Sequence, residues 1–310
     1  MSVAPNIAVL LPCYNEAATI AQVVANFRSA LPEATIYVFD NNSKDDTAAL
    51  ARAAGAIVKP VHKQGKGNVV RRMFADVEAD AYLMADGDLT YDHTRACDLL
   101  APVIDGSADM VIGTRQAVGK ASYPPGHRFG NRLFNLIVGN IFGEGLQDIF
   151  SGYRAFSHRF VKSFPAHSEG FEIETEMSIF LLEQRIPYLE IPTAYGERPA
   201  GSHSKLHTYR DGMRILLTIL RLFKESRPML FFSMIAFLFA GISLIFGIPV
   251  IREYLQTGLV PRQPTAILAT GIGILAAITF FAGMMLDSVA RTYRETRHLR
   301  YLTVPPRRRP

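Results

Sequence analysis

Two stretches without a single charge most constrain how this chain can fold: residues 229–251, 23 in a row, and 265–286, 22 in a row. A helix needs about 20 apolar residues to cross a bilayer core, and an uncharged run of that length is unusual for a buried helix of a soluble domain. Both stretches are predicted to be transmembrane helices. The loop between them, 252–264, carries two arginines and one glutamate. Positive charge is denser outside the pair: a basic cluster fills 205–227, and seven arginines face one glutamate over 291–309. That asymmetry places both flanks in the cytoplasm and makes the pair a hairpin in the cell (inner) membrane.

The segment leading into the first span, 206–224, reads as an amphipathic helix. Arg210, Arg214, Arg221 and Lys224 fall on one stripe, with Met213, Leu216, Leu217, Leu220 and Phe223 around the rest. Such a helix packs on a core or lies in a membrane interface, and its junction with a span favours the interface. The expected organisation is a cytosolic domain over 1–205, an interfacial helix over 206–228, spans over 229–251 and 265–286, and a basic cytosolic tail over 287–310.

In the first 115 residues, short apolar runs (7–11, 36–39, 57–58, 82–84 and 110–112) alternate with amphipathic segments (17–30, 46–54, 68–77 and 94–104). This alternation predicts an α/β domain, a mostly parallel sheet with helices on both faces. Past Arg115 it stops. Helices are expected over 127–142 and 172–184 and a further strand over 188–194. No repeat is evident. The first residues lack a basic n-region, and the run 7–11 is too short for a signal sequence, so it is taken as the first strand. Two cysteines without metal-ligand spacing indicate no disulfide framework.

In open α/β sheets ligands bind beyond the carboxyl ends of the strands. Four polar clusters follow strands here: Tyr14-Asn15-Glu16, Asp40-Asn41-Asn42-Ser43, Asp86-Gly87-Asp88 and Gly113-Thr114-Arg115. Asp86 and Asp88, one residue apart, suit a hard divalent cation, Mg²⁺ or Mn²⁺, which accepts carboxylate oxygens and leaves positions for phosphate. Taken alone the same tripeptide is ordinary turn chemistry. The loop Gln64-Gly65-Lys66-Gly67 precedes a helix whose N-terminus favours an anion. Neither GxxxxGK[ST] nor GxGxxG occurs, which removes the main support for an NTPase or a dehydrogenase. Arg128 and Arg132 share a helix face, and guanidinium forks suit phosphate. The basic tail has no aromatic interleaving, so no nucleic-acid partner is expected.

PCYNE (12–16), FDNNSKDDT (39–47), GKGN (65–68) and DGD (86–88), in this order and spacing, resemble the inverting family 2 glycosyltransferases with the GT-A fold. The continuation through DIFSGYR (148–154), GFEIETE (170–176) and ERPAGSHSKL (197–206) into a membrane hairpin is similar to the polyprenyl-phosphate glycosyltransferase branch, relatives of dolichol-phosphate mannose synthase. The resemblance implies that Pro12, Tyr14, Asn15 and Glu16 border the nucleotide, with Asp40 and Asn42 near its base and ribose. Lys66, Gly67 and Arg198 join the nucleotide-sugar site, Asp86 sits by nucleotide and metal, and Asp88 is the principal metal ligand. It further implies that Arg115, Arg128 and Arg132 hold the acceptor phosphate and that Ser204 and Lys205 lie, with Arg198, on a loop closing over the donor diphosphate. Arg154 and Glu174 would support these groups from behind.

The implied reaction moves a sugar from a UDP- or GDP-sugar to a polyprenyl monophosphate, with inversion and no strong general base. Some relatives carry Gln where Thr90 stands, so no third metal ligand is named. The chain has no tryptophan, which excludes the QxxRW motif of processive polysaccharide synthases. Two readings compete: transfer to a sugar hydroxyl, with Glu172, Glu174 or Glu176 as base, and a non-catalytic nucleotide-sugar-binding anchor. The donor sugar and a homo-oligomer are left open.

Overall fold

In a computed structural model the described residues are 4–117, 134–135, 138–139, 145–199 and 208–305. The chain divides into two compact units: one runs up to Ile219 and resumes at Arg297, the other is Leu220–Thr296.

The first unit is built on a seven-stranded sheet of order β3-β2-β1-β4-β6-β5-β7. The strands are β1 (Ile7–Cys13), β2 (Thr35–Asp40), β3 (Ile57–Pro60), β4 (Ala81–Met84), β5 (Met110–Ala117), β6 (Arg154–Ser157) and β7 (Tyr188–Tyr195). Between them run α1 (Ile20–Ala30), α2 (Thr47–Ala53), α3 (Lys66–Asp76), α4 (Ala96–Asp105), α5 (His158–Ser163) and α6 (Ile173–Glu183). All pairings are parallel except those of β6, which is antiparallel to both β4 and β5.

Successive strand residues point to opposite faces, and this chain fills both. On one face Val9, Leu11 and Cys13 of β1 and Ala155 of β6 pack with Ile20, Val23, Val24 and Phe27 of α1 and Leu99, Leu100 and Val103 of α4. Phe156, the next residue of β6, joins a phenylalanine cluster with Phe74 of α3, Phe160 of α5, Phe164 and Phe180 of α6, with centroids 5.2–6.2 Å apart. Burial on both faces explains why β1 reads as a continuous apolar run.

The expected strands and helices appear with ends shifted by a few residues. The expected helix over 127–142 falls almost entirely outside the described residues. Sequence reading had no strand at β6 and no helix at α5. The strand is four residues long and opens on an arginine, which pattern reading assigns to the surface. Yet Arg154 has no exposed surface. Its guanidinium donates to the carbonyls of Ser151 (2.8 Å) and Ile149 (2.8 Å) and to Ser178 Oγ (2.9 Å), which satisfies the buried charge. Burial lowers its pKa to about 10, against the pull of Glu174 and Asp148, so it stays protonated at neutral pH.

α7 (Thr208–Ser226) precedes α8 (Pro228–Thr257) and α9 (Gln263–Thr303), and the latter two are long and apolar enough to cross a membrane. Within the second unit α8 and α9 meet through small residues. Ser243 Oγ donates to the Ala269 carbonyl at 2.8 Å, Gly247 lies beside Ala269, and Gly283 beside Phe232. α8 ends at Gly258, whose φ of 67° gives a left-handed cap. α9 is 41 residues, about 60 Å at 1.5 Å per residue. The segment expected as a basic tail is thus helical as far as Thr303. In the first unit its end is tied down: Tyr301 donates to Asp109, and Arg159 stacks over the Tyr301 ring and donates to the Val304 carbonyl at 3.0 Å.

Candidate active site

The polar clusters predicted at the strand ends converge on one edge, where three loops interlock. Beyond β1, Asn15 N–H donates to Ser43 Oγ (2.9 Å), Glu16 N–H to Thr47 Oγ1 (2.8 Å) and Ala17 N–H to Asp45 Oδ2 (3.1 Å). The Asn15 side chain in turn accepts from Lys44 N–H at 2.8 Å. Asn41 joins the third loop, donating to the carbonyls of Val61 and Lys63 and accepting from Gly65 N–H. Asn15, Asn42 and Leu89 all take positive φ, 51°, 64° and 64°. Left-handed backbone is costly for leucine, and such strain concentrates at functional sites. Pro12 and Tyr14 flank Cys13 at the end of β1, and Cys13 pairs with Asp40 in the parallel register. The buried Oδ1 of Asp40 has no hydrogen-bond partner among the described residues.

Asp86-Gly87-Asp88 follows β4 at the centre of this edge. Asp88 is buried; Oδ1 accepts from Thr90 N–H (3.2 Å) and Thr90 Oγ1 (2.6 Å), and Oδ2 lies 2.6 Å from Arg198 Nη2. Burial pushes its carboxyl up and Asp86 adds to the rise, while Arg198 and Thr90 pull it back. Thr90 thus braces the Asp88 carboxylate. Asp86 Oδ1 lies 2.5 Å from Lys66 Nζ, which is also 2.5 Å from Glu174 Oε1. Among the described residues no group of three or more His, Cys, Asp or Glu side chains could hold a metal ion. Two adjacent carboxylates nonetheless fit a cation such as Mg²⁺, which takes one or two protein carboxylates and completes its shell with water and substrate phosphate.

Gly87 is demanded by packing. A Cβ there would come within 2.6 Å of Cys13 Sγ. Gly87→Ala is expected to cut activity at least tenfold by displacing the two aspartates, and Cys13→Ala in the same chain to restore most of it. A double-mutant cycle on kcat/KM checks this, and additive losses would show that the sulfur is not the obstruction.

The glycines of the Gly65-Lys66-Gly67 loop serve a different purpose from the anion site expected of them. Gly67 N–H donates to the carbonyls of Glu169 (2.9 Å) and Gly170 (3.1 Å), so backbone occupies the N-terminus of α3. A Cβ on Gly65 or Gly67 would collide with the carbonyls of Glu169 and Ser168. The Lys66 ammonium of this loop faces the carboxylates of Asp86 and Glu174.

Arg115, at the end of β5, is held by Asp148 in a two-pronged pair, Nε to Oδ2 and Nη2 to Oδ1, both 2.7 Å, and its guanidinium lies 5.5 Å from the centroid of the Tyr195 ring. Sequence reading quoted the motif holding Asp148 without singling it out; the signal was an acid opening a polar segment after β5. Glu16 is buried against Thr19. Of the three glutamates weighed as a base, Glu174 pairs with Lys66, Glu176 accepts from His167 N–H (2.9 Å) and Ser168 N–H (2.7 Å), and Glu172 from Gly170 N–H (3.1 Å). Arg128, Arg132, Ser204 and Lys205 lie outside the described residues.

Residues 8–164 match the family model described as Glycosyl transferase family 2. Glycosyltransferase AglJ of Haloferax volcanii is 35% identical over 295 residues, covering 93% of this chain and 95% of that protein. Dolichyl-phosphate hexose transferase of the same organism is 26% identical over 222 residues, 72% of this chain and 96% of that one. Among solved structures, glucosyl-3-phosphoglycerate synthase from Mycobacterium tuberculosis, in complex with Mn²⁺, UDP and phosphoglyceric acid, superposes with a TM-score of 0.58 at 21% identity, covering 71% and 79% of the two chains. That likeness establishes a shared GT-A-type fold. With the fold, the strand-end carboxylates and these relatives in agreement, the chain belongs to glycosyl transferase family 2 and is a glycosyltransferase.

Proposed function

We propose that this enzyme transfers a sugar, with inversion, from a nucleoside-diphosphate sugar to a polyprenyl monophosphate at the cytoplasmic face of a membrane. The observation that carries the reading is that each acid of the GFEIETE stretch has at least one oxygen held within the protein, Glu174 by Lys66 and Glu176 and Glu172 by backbone N–H groups. A hydroxyl acceptor needs a base within reach of its proton. A phosphate monoester is largely ionised near neutrality, with a second pKa of about 6, and needs none. Dolichyl-phosphate hexose transferase, among the relatives, is named for such an acceptor, which supports the reading.

Asp40, with its unpartnered oxygen, is suited to the nucleoside. Mg²⁺ or Mn²⁺, held by Asp86 and Asp88, would supply the charge that stabilises a departing diphosphate. Lys66 and Arg198, each beside one of those carboxylates, are proposed to contact the same diphosphate. Arg115, fixed by Asp148, presents a constrained guanidinium for the acceptor phosphate; Arg128, Arg132 and Lys205 are proposed to complete that anion site. α7 suits a bilayer surface: Met213, Leu217 and Leu220 are exposed on it, a costly display in water and a favourable one against acyl chains.

The test uses native membranes, Mg²⁺ or Mn²⁺, a short polyprenyl phosphate and a panel of labelled UDP- and GDP-sugars. Label passing into the organic phase and released by mild acid is the expected result, and it names the donor. Label appearing only on hydroxyl acceptors would overturn the proposal.

A further inference from the structure

The reading above assigns no chemical step to Glu174, whose place is nonetheless specific. It lies in the first turn of α6 with its side chain 4% exposed, and shares the Lys66 ammonium with Asp86, each oxygen 2.5 Å from Nζ. Its other oxygen, Oε2, is buried without a hydrogen-bond partner among the described residues. A buried carboxylate with one unpaired oxygen costs stability that a neutral side chain would not. The surroundings keep space for the trio: a Cβ on Gly152 would come within 2.8 Å of Asp86 Oδ2 and 3.1 Å of Lys66 Nζ.

We propose that Glu174 is a positioning residue for the metal site: by taking half of the Lys66 ammonium, it leaves the Asp86 carboxylate incompletely neutralised and free to accept a divalent cation. This rests on the assignment of Asp86 and Asp88 as metal ligands. Asp88 and Arg198 cancel as a pair, so the net charge a cation meets is set by the other three groups. Two carboxylates and one ammonium leave a single negative charge. Without Glu174, Asp86 and Lys66 would cancel as well, and the two aspartates would keep their positions with no net attraction for a cation. Lysine makes this arrangement workable, because its ammonium is a compact point charge with three donors that two carboxylates can share. Groups behind the ligands commonly govern metal affinity in this way, at about 10–100-fold per substitution.

The experiment titrates the full chain in detergent with Mn²⁺, following free Mn²⁺ by EPR, without nucleotide or lipid. Glu174→Gln is expected to bind Mn²⁺ about 10–100-fold more weakly than wild type, while in transfer assays its kcat returns toward wild type at saturating Mn²⁺. Glu174→Asp, which keeps the charge, is expected to stay within about threefold of wild type, since affinity here follows charge. If the amide prevents folding, Glu174→Met, of similar length and without a polar atom, replaces it in the same comparison. Unchanged Mn²⁺ affinity in the neutral variant overturns the proposal. So does an equal loss in Glu174→Asp, which would make shape the cause, or a kcat that stays low at every Mn²⁺ concentration. A wild-type protein that binds no Mn²⁺ is a separate result, and it would refute the assignment of the ligands themselves.

Discussion

Lys66→Met is expected to destabilise the sheet-containing unit by about 3–5 kcal/mol at neutral pH, the range for removing one member of a buried ion cluster. The substitution preserves length and apolar stem but leaves Asp86 and Glu174 facing each other without the cation that both contact at 2.5 Å. Guanidinium unfolding of the full chain in detergent, followed by circular dichroism, measures the loss. A change below about 1 kcal/mol, the scale of an exposed pair, would show that the cluster opens to water.

The pH dependence follows from the same groups. Burial pulls the Lys66 ammonium down, but Asp86 and Glu174 more than offset it, so its folded pKa lies above the ordinary lysine value. Its contribution is therefore complete below the ordinary value and disappears only as pH rises through the folded one. Glu174 is raised by burial, against the pull of Lys66. An acid raised on folding binds more protons folded than unfolded, so its cost shrinks as pH falls through the folded value. Without Lys66, Glu174 loses that pull and rises further. The deficit of Lys66→Met should accordingly be largest near pH 8 and smaller at pH 5.5, and a deficit that grew on acidification would contradict the cluster.

The elements legible in the sequence are those whose periodicity reports burial directly. β1 and α1 carry unbroken apolar or 3.6-period patterns, and the two long helices stand out by the absence of charge alone. What escaped was set by partners distant in sequence. β6 hides because Arg154 looks like a surface residue until the Ile149 and Ser151 carbonyls and Ser178 gather around it. Gly67 reads as a phosphate-binding glycine, yet the group pressed against it is the backbone of residues 168–170, about a hundred positions later. The site shows the same division. Asp86 and Asp88 are visible as a local motif, whereas the Lys66–Glu174 and Arg115–Asp148 pairs join segments that only the fold brings together.

Asp88→Asn is expected to lower kcat/KM for transfer by about 10³-fold, roughly 4 kcal/mol of transition-state stabilisation, the magnitude seen when a preorganised electrostatic group is removed. Folding should be nearly unaffected. Burial already pushes the Asp88 carboxyl upward, so a neutral amide of the same volume suits its surroundings, and Asn Oδ1 still accepts from Thr90. What disappears is charge: a ligand oxygen for the cation and the anion paired with Arg198 at 2.6 Å. Thr90→Val separates bracing from charge, because it removes the hydroxyl's bonds to Asp88 and Tyr195 and leaves the carboxylate in place. A hydrogen bond to a charged group is worth about 1.5–3 kcal/mol, so a loss of about ten- to a hundredfold is expected there. Measured together with thermal unfolding, the two variants should fall in that order at similar unfolding temperatures. Asp88→Asn retaining more than a tenth of wild-type transfer would mean that the chemistry does not pass through this carboxylate, and the charge balance argued for Lys66, Glu174 and Arg198 would then serve stability alone.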